Sequence, residues 1–276
     1  MSALDGVASA AVSVRPQPPP LHVRAAFGAK DAEPELIDVG PVWRCGEIAF
    51  KPARHPAEAT WVAKTLGELH VPDLRFGRPL RATDGRWVVG GWAGHKFIEG
   101  RAEPRHDEMV GVSLRLHEAT ADLPKPRFLG ARSDVFALAD RIAWGEHDMP
   151  LDPDTGGRIF HELAGARSKT ELRPQVVHGD LYGNVLFVGE AAPGIIDFIP
   201  YWRPVEWAAA VIVVDALAWG GADDGLLGRW SHLREWPQAL LHALLFRLAV
   251  HSLHPRSTEA SLRGLERAAK HIGQLL

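Results

Sequence analysis

The apolar positions of this chain change period along its length. Between residues 35 and 51 they fall in three short runs, Glu35-Leu36-Ile37-Asp38-Val39, Val42 to Arg44, and Ile48 to Lys51. Gly40-Pro41 and Cys45-Gly46-Glu47 separate them, and this alternation predicts an antiparallel meander. From His55-Pro56 the period becomes helical: Ala59, Val62, Ala63 and Leu66 share one face. Pro56 stands in the first turn, where its missing N–H costs nothing. Pro79 to Ala82 and Arg86 to Val89 then flank Asp84-Gly85, a hairpin signal. The pattern predicts five antiparallel strands with one helix after the third.

Further on, helical spacing dominates. Met109, Val112 and Leu116 mark a helix that ends near Leu116-His117-Glu118, with His117 expected as a buried, hydrogen-bonded side chain. Glu206 to Trp219 is almost entirely Ala and Val, which predicts a helix buried all round. Trp236-Pro237 opens another helix through Leu240, Leu244 and Leu248. Ser257 to Leu276 closes the chain, with Ser257 or Thr258 as cap and Leu262, Leu265, Ala269 and Ile272 inward. The fold class is therefore α+β, strands first and helices later. Residues 1–20, ending Arg15-Pro-Gln-Pro-Pro-Pro, are expected to form a mobile, Pro-rich leader.

Composition narrows the function classes. Lys plus Arg is 31 against 34 for Asp plus Glu, a net charge of −3, so no global field attracts nucleic acid. Cys45 is the only cysteine, which rules out an intramolecular disulfide and a cysteine-rich zinc site and fits a reducing cytosol. Residues 1–20 lack the basic start and apolar core of a secretory signal. The longest apolar stretch, near Leu240 to Val250, is too short and, with His242 and Arg247, too polar to span a bilayer. The expectation is a cytoplasmic protein without nucleic-acid or membrane partners; the sequence leaves the oligomeric state open.

Chemistry concentrates in residues 175–203, QVVHGDLYGNVLFVGEAAPGIIDFIPYWR. Asp180, Asn184 and Asp197 stand where short apolar runs begin or end, the usual place for reactive groups. Two carboxylates and an amide also make a hard oxygen set suited to Mg²⁺, which leaves room for phosphate oxygens. His178-Gly179-Asp180-Leu181, Asn184-Val185-Leu186-Phe187 and Ile195-Ile196-Asp197-Phe198 together resemble the motifs of the aminoglycoside phosphotransferase and choline kinase group. The protein-kinase counterparts are H-R-D-L-x-x-x-N and D-F-G. In this chain Asn184 follows Asp180 by four residues, where the protein-kinase pattern has five.

The resemblance implies a bilobal, protein-kinase-like fold with a five-stranded N-lobe over residues 21–99 and a mainly helical C-lobe over 100–276. It implies ATP or GTP as donor, Mg²⁺ as cofactor, and a small hydroxylated molecule as acceptor. By resemblance, Asp180 is the base facing the acceptor hydroxyl, and Asn184 and Asp197 hold the metal. Lys51 would meet the phosphates and pair with Glu58 on the following helix. Gly40 would lie in the loop covering the nucleotide, and Gly90 to Gly100 would form the link between lobes, with His95 and Lys96 on the surface. That loop offers one glycine, fewer than a glycine-rich phosphate loop. The alternative is a nucleotide-binding regulatory pseudokinase without efficient transfer, favoured by the short Asp180–Asn184 spacing and the glycine-poor loop. No A-P-E segment follows Asp197, which argues against a protein kinase, and no HExxH is present. Asp223, Asp224 and Glu235 are candidate contributors to an acidic acceptor pocket, or else a solvated loop.

Overall fold

A computed structural model describes residues 16–37, 41–53 and 55–276. Gly40 and most of the expected leader lie outside the described residues. The chain enters through α1 (Leu21–Ala26) and runs into β1 (Pro34–Ile37), β2 (Val42–Cys45), β3 (Ile48–Pro52) and α2 (Pro56–Glu68). Then come β4 (Arg75–Phe76), β5 (Pro79–Leu80), β6 (Val88–Val89) and β7 (Trp92–Lys96). Next are α3 (His106–Ala119), α4 (Val135–Ala143), α5 (Gly157–Ala164), β8 (Gln175–His178), β9 (Val185–Leu186), β10 (Gly194–Ile195) and β11 (Pro200–Arg203). The last elements are α6 (Val205–Trp219), α7 (Gly225–Arg229), α8 (Trp236–Leu253) and α9 (Glu259–Ile272). They form two compact units. One holds the described residues up to Ala102 together with Asn184–Phe198; the other holds Glu103–Gly183 and Ile199–Leu276.

The first unit carries an antiparallel sheet in the order β1-β2-β3-β7-β5, with β6 also paired to β7. The class is as expected, but the sheet has six strands rather than five. Two corrections have one physical cause. Gly90 and Gly91 both adopt left-handed backbone, φ +56° and +80°. Such a two-glycine turn matches the twist of flanking strands and makes a tight hairpin. The chain therefore turns at Gly90-Gly91, and Trp92–Lys96 is a strand paired to both β3 and β5 rather than a linker. Asp84-Gly85 does close a turn, with the Ala82 N–H donating to the Arg86 carbonyl at 2.8 Å, but β5 pairs with β7. His95 is correspondingly half-buried rather than on the surface, and its Nδ1 bonds the Gly77 carbonyl at 3.2 Å. One side of the sheet packs on α1, where Phe27 meets Phe50 edge to face at 5.5 Å among Val23, Cys45, Ala82 and Val89.

Residues 184–198 are stitched into this unit by backbone pairing. β10 runs parallel to β4, with Ile195 opposite Phe76, and antiparallel to β9. Arg101 and Phe187 exchange both backbone hydrogen bonds, at 3.0 and 2.8 Å.

In the second unit α6 is buried from Trp207 to Ala218 without a polar face, as its Ala/Val composition requires. It packs on α3, α8 and α9. Thr258 rather than Ser257 caps α9, through a reciprocal box in which Ser261 answers the cap backbone. β8 and β11 form an antiparallel pair that places His178 opposite Pro200. Among the described residues, no helix is long and apolar enough to cross a membrane.

Candidate active site

In the second unit the chain leaves β8 at His178 and turns at Gly179. A Cβ on Gly179 would lie 2.3 Å from the Tyr201 ring and 3.1 Å from that of Trp207, so only glycine fits. Its N–H donates to the Ile199 carbonyl at 3.0 Å. A histidine relay then fixes the loop. The His178 N–H donates to Nε2 of His117 at 2.8 Å, so the His117 proton sits on Nδ1 and donates to Ser113 Oγ at 3.2 Å. Burial pushes the His117 pKa down to about 3, which keeps the ring neutral, as both bonds require. The Asp180 N–H donates to His178 Nδ1 at 3.1 Å. Asp180 is thus held by its backbone through two histidines from α3 and β8.

Its side chain is held from another direction. Nη2 of Arg247, on α8, donates to Asp180 Oδ1 at 2.7 Å. The same guanidinium grips Asp215 of α6, Nε to Oδ1 at 2.7 Å and Nη2 to Oδ2 at 2.5 Å. All three side chains are buried, Arg247 and Asp215 to within 1% of complete. Burial raises the Asp215 pKa to about 6, against the pull of Arg247, while the nearby Asp180 charge adds to the rise. Burial disfavours the Arg247 charge, but the two carboxylates more than compensate and hold the guanidinium protonated.

The first unit carries the remaining motif residues. Lys51 of β3 reaches Asp197 Oδ1 at 3.4 Å, and its Nζ also donates to the Ile196 carbonyl. The expected helix partner, Glu58, lies in the first turn of α2, and the ion pair seen at Lys51 runs to Asp197. The Phe198 N–H donates to Asp197 Oδ1 at 3.1 Å, which turns the carboxylate at the strand end. Asn184 is fully buried, and its carbonyl accepts the Ile196 N–H at 3.2 Å, so Asn184 and Asp197 are joined through one short backbone span. His95 lies behind this group. Burial and the Lys51 charge lower its pKa to about 4, so it adds no second cation beside Lys51. Between Asp180 and Asn184 the chain passes from one unit to the other through Gly183, whose φ of +82° is left-handed.

Asn184 and Asp197 fit a Mg²⁺ ion in chemistry: both offer hard oxygens, and Asp197 is partly exposed, its side chain 41% open. Among the described residues no cluster of three or more His, Cys, Asp or Glu could hold a metal by itself, so such an ion would share its shell with phosphate oxygens and water.

The solved structures that resemble this chain share its fold over nearly its whole length. Choline kinase LicA from Streptococcus pneumoniae superposes with a TM-score of 0.56 at 10% identity, covering 92% of this chain and 98% of that one. A thermostable mutant of aminoglycoside phosphotransferase APH(4)-Ia gives 0.52 at 11% identity, covering 88% and 94%. The chain has the fold of the aminoglycoside phosphotransferase and choline kinase group. No protein-family model matches it. By sequence it is 29% identical to a homoserine kinase of Methylorubrum populi over 191 residues, 63% of this chain and 57% of that protein. It is 34% identical to a homoserine kinase of Beijerinckia indica over 138 residues, 45% and 40%. The chain spans about half the length of the curated relatives it matches.

Sequence reasoning passed over Arg247 and Asp215. Arg247 registered only as a polar interruption of an apolar stretch. The signal was present: an isolated Asp in one fully apolar helix and an isolated Arg in another can be buried only as partners. Each of the candidate acidic residues has a polar partner. Asp223 pairs with Arg229 at 3.3 Å, Asp224 lies 3.8 Å from His271, and Glu235 accepts the Glu171 N–H at 2.9 Å. Tyr182, in the loop after Asp180, stacks on His106 at 6.2 Å.

Proposed function

We propose that the protein transfers the γ-phosphoryl group of ATP, or GTP, to a hydroxyl group of a small molecule. The observation that carries this reading is the anchoring of Asp180, whose backbone is fixed by His178 and whose Oδ1 is fixed by Arg247. A carboxylate held in this way suits a group that must accept a hydrogen bond from an incoming hydroxyl in one orientation. Asp180 takes the hydroxyl proton as the acceptor oxygen bonds to phosphorus and the bond to the β,γ-bridging oxygen breaks. The side chains of Lys51, Asn184 and Asp197 serve the donor. Lys51 meets the phosphates as a cation, and Asn184 and Asp197 hold Mg²⁺. The metal supplies neutralisation of phosphate charge.

Nucleotide use is supported by a complex of the neighbouring choline kinase LicA with AMP, TM-score 0.50 and 11% identity over 84% of this chain. The homoserine kinases among the sequence relatives make homoserine the first acceptor to try, beside choline, hydroxylated amines and sugars. ADP release from Mg·ATP is measured with each acceptor for the native protein and Asp180→Asn. One acceptor should stimulate turnover, and Asp180→Asn should lower it by about 10² or more, the typical worth of a positioned base. Calorimetric ATP binding should be nearly unchanged. Tight nucleotide binding without stimulation by any acceptor would favour the regulatory alternative.

A further inference from the structure

Three ionised groups meet in a fully buried triad formed by Asp180, Arg247 and Asp215. Stability alone gives a weak reason for it, because buried ion pairs are commonly replaceable by apolar residues of similar volume without loss. Its geometry is directional. Asp215 takes the guanidinium in a two-point fork, which fixes the guanidinium plane, and the remaining contact of Nη2 falls on Oδ1 of Asp180. With Oδ1 held, the carboxylate can no longer rotate about its own axis, and the direction of Oδ2 is set.

The geometry points to Arg247, locked by Asp215, as the positioning residue of the Asp180 carboxylate, with Asp215 setting how strongly the guanidinium draws on Asp180. This rests on the proposed phosphoryl transfer. Arg247 and Asp215 touch no reacting atom and act through Asp180. When Asp215 is ionised, the fork satisfies most of the guanidinium. When Asp215 takes up a proton, the guanidinium charge falls on Asp180 alone, and Asp180 becomes a poorer acceptor for the hydroxyl proton. Turnover should therefore fall with acidity through the titration of Asp215, a residue two side chains removed from the substrate. The groups facing Asp215 are Arg247 from α8 and Asp180 and Tyr182 from the catalytic loop. Burial and the Asp215 charge push the Tyr182 phenol up to about 12, far from this range. Of the other elements on α6, α3 contributes His117, neutral down to about pH 3, and α9 contributes Arg267, bound to the Ala218 carbonyl at 2.9 Å.

The test uses Asp215→Asn, Arg247→Lys and Arg247→Met, with melting curves to establish that each is folded. Turnover is followed against pH with the acceptor identified for the native protein. Asp215→Asn should lower kcat roughly ten- to hundredfold, leave KM for ATP and acceptor within about twofold, and abolish the acid limb near pH 6. Arg247→Lys should retain more kcat than Arg247→Met. A folded Asp215→Asn with native kcat and an intact acid limb would overturn the proposal. A second arm needs no acceptor. In protein labelled with ¹³C at aspartate carboxyls, the Asp180 resonance is the one missing from Asp180→Asn. It should move between about pH 5 and 7 in the native protein and stay still in Asp215→Asn. A native resonance that does not move overturns the coupling, even if Asp215→Asn fails to fold. If the native protein phosphorylates no acceptor, the proposed function fails, and this arm alone decides whether Asp215 governs Asp180.

Discussion

Substituting Gly179 by alanine adds one carbon at the tightest point of the loop that carries Asp180. The added Cβ would lie 2.3 and 2.5 Å from two carbons of the Tyr201 ring. Ordinary carbon contacts are about 3.5–4.0 Å, so the ring must retreat by roughly 1 Å. It has little room to do so. Tyr201 is 4% exposed, and its ring lies 5.4 Å from Trp207 and 5.8 Å from Phe246, which themselves pack at 5.5 Å. Overpacking of a closed core costs about 1–3 kcal/mol, and three interlocked aromatic rings place this site at the upper end. A loss of about 2–3 kcal/mol corresponds to roughly 3–6 °C in Tm for a chain of this size. Because the Gly179 N–H also holds the Ile199 carbonyl, relief by backbone movement would carry Asp180 with it, and turnover should fall too. Melting curves and acceptor-stimulated ADP release read the two effects. Tyr201→Ala, destabilising alone, should cost less when Gly179 is already alanine, so the double variant should be more stable than additivity allows. Strict additivity, or a Gly179→Ala melting point within about 1 °C of native, would refute the packing argument.

Gly183→Val should sharply lower turnover, because a β-branched residue is strained at φ +82° and the turn carries Asn184; unchanged activity would show that the turn can be remade. Asp197→Ala should weaken calorimetric binding of Mg·ATP more than that of metal-free ATP, and equal losses would contradict its metal role. Asn184→Ala should raise the Mg²⁺ concentration needed for half-maximal turnover, and an unchanged requirement would remove Asn184 from the metal. Urea unfolding should show an acid loss of stability from His117. Its folded pKa, near 3, lies below the unfolded value near 6.5, so its contribution is full above pH 6.5 and lost as pH falls toward 3, about 2 kcal/mol of it by pH 5. Asp215, raised to about 6, acts in the opposite sense, present in acid and lost as pH rises through 6, so the His117 term is isolated by comparison with His117→Gln, which should be flatter with pH.

The α+β class and the helices after residue 200 were legible because Ala/Val-rich and amphipathic runs leave few alternatives. The strand count was not, because β5 and β6 are two residues long and carry almost no alternation to read. The glycine pair at 90–91 and the Asp84-Gly85 turn compete for the hairpin signal, and only long-range pairing with β3 decides between them. At the candidate site, the motif residues stand out because local order in the chain brings them near strand ends. Of the supports of Asp180, His117 reads as a buried, hydrogen-bonded side chain but not as a partner of that loop, and Asp215 and Arg247 do not stand out at all: the three lie 63, 35 and 67 positions away in the sequence, each in a helix whose pattern looks like core. The burial of charge is what ties such residues together, and it becomes visible only when unpaired charges in apolar helices are matched by sign.

Residues 184–198 belong to the first unit although they are flanked on both sides by chain of the second. During synthesis on a ribosome, the first unit therefore cannot be finished when residue 102 emerges. At that point β4 still lacks β10, and Lys51 has no Asp197 to meet. The stretch Glu103–Gly183 of the second unit must be made before these partners arrive, by which time α3 has been translated but α6 and α8 have not. A fragment ending at residue 102 would keep every strand of the six-stranded sheet but leave Arg75–Phe76 without β10, so separate expression of this part should expose that backbone edge. The two units are thus interlaced in order of birth: the first waits on a stretch of the second, and the second is completed last.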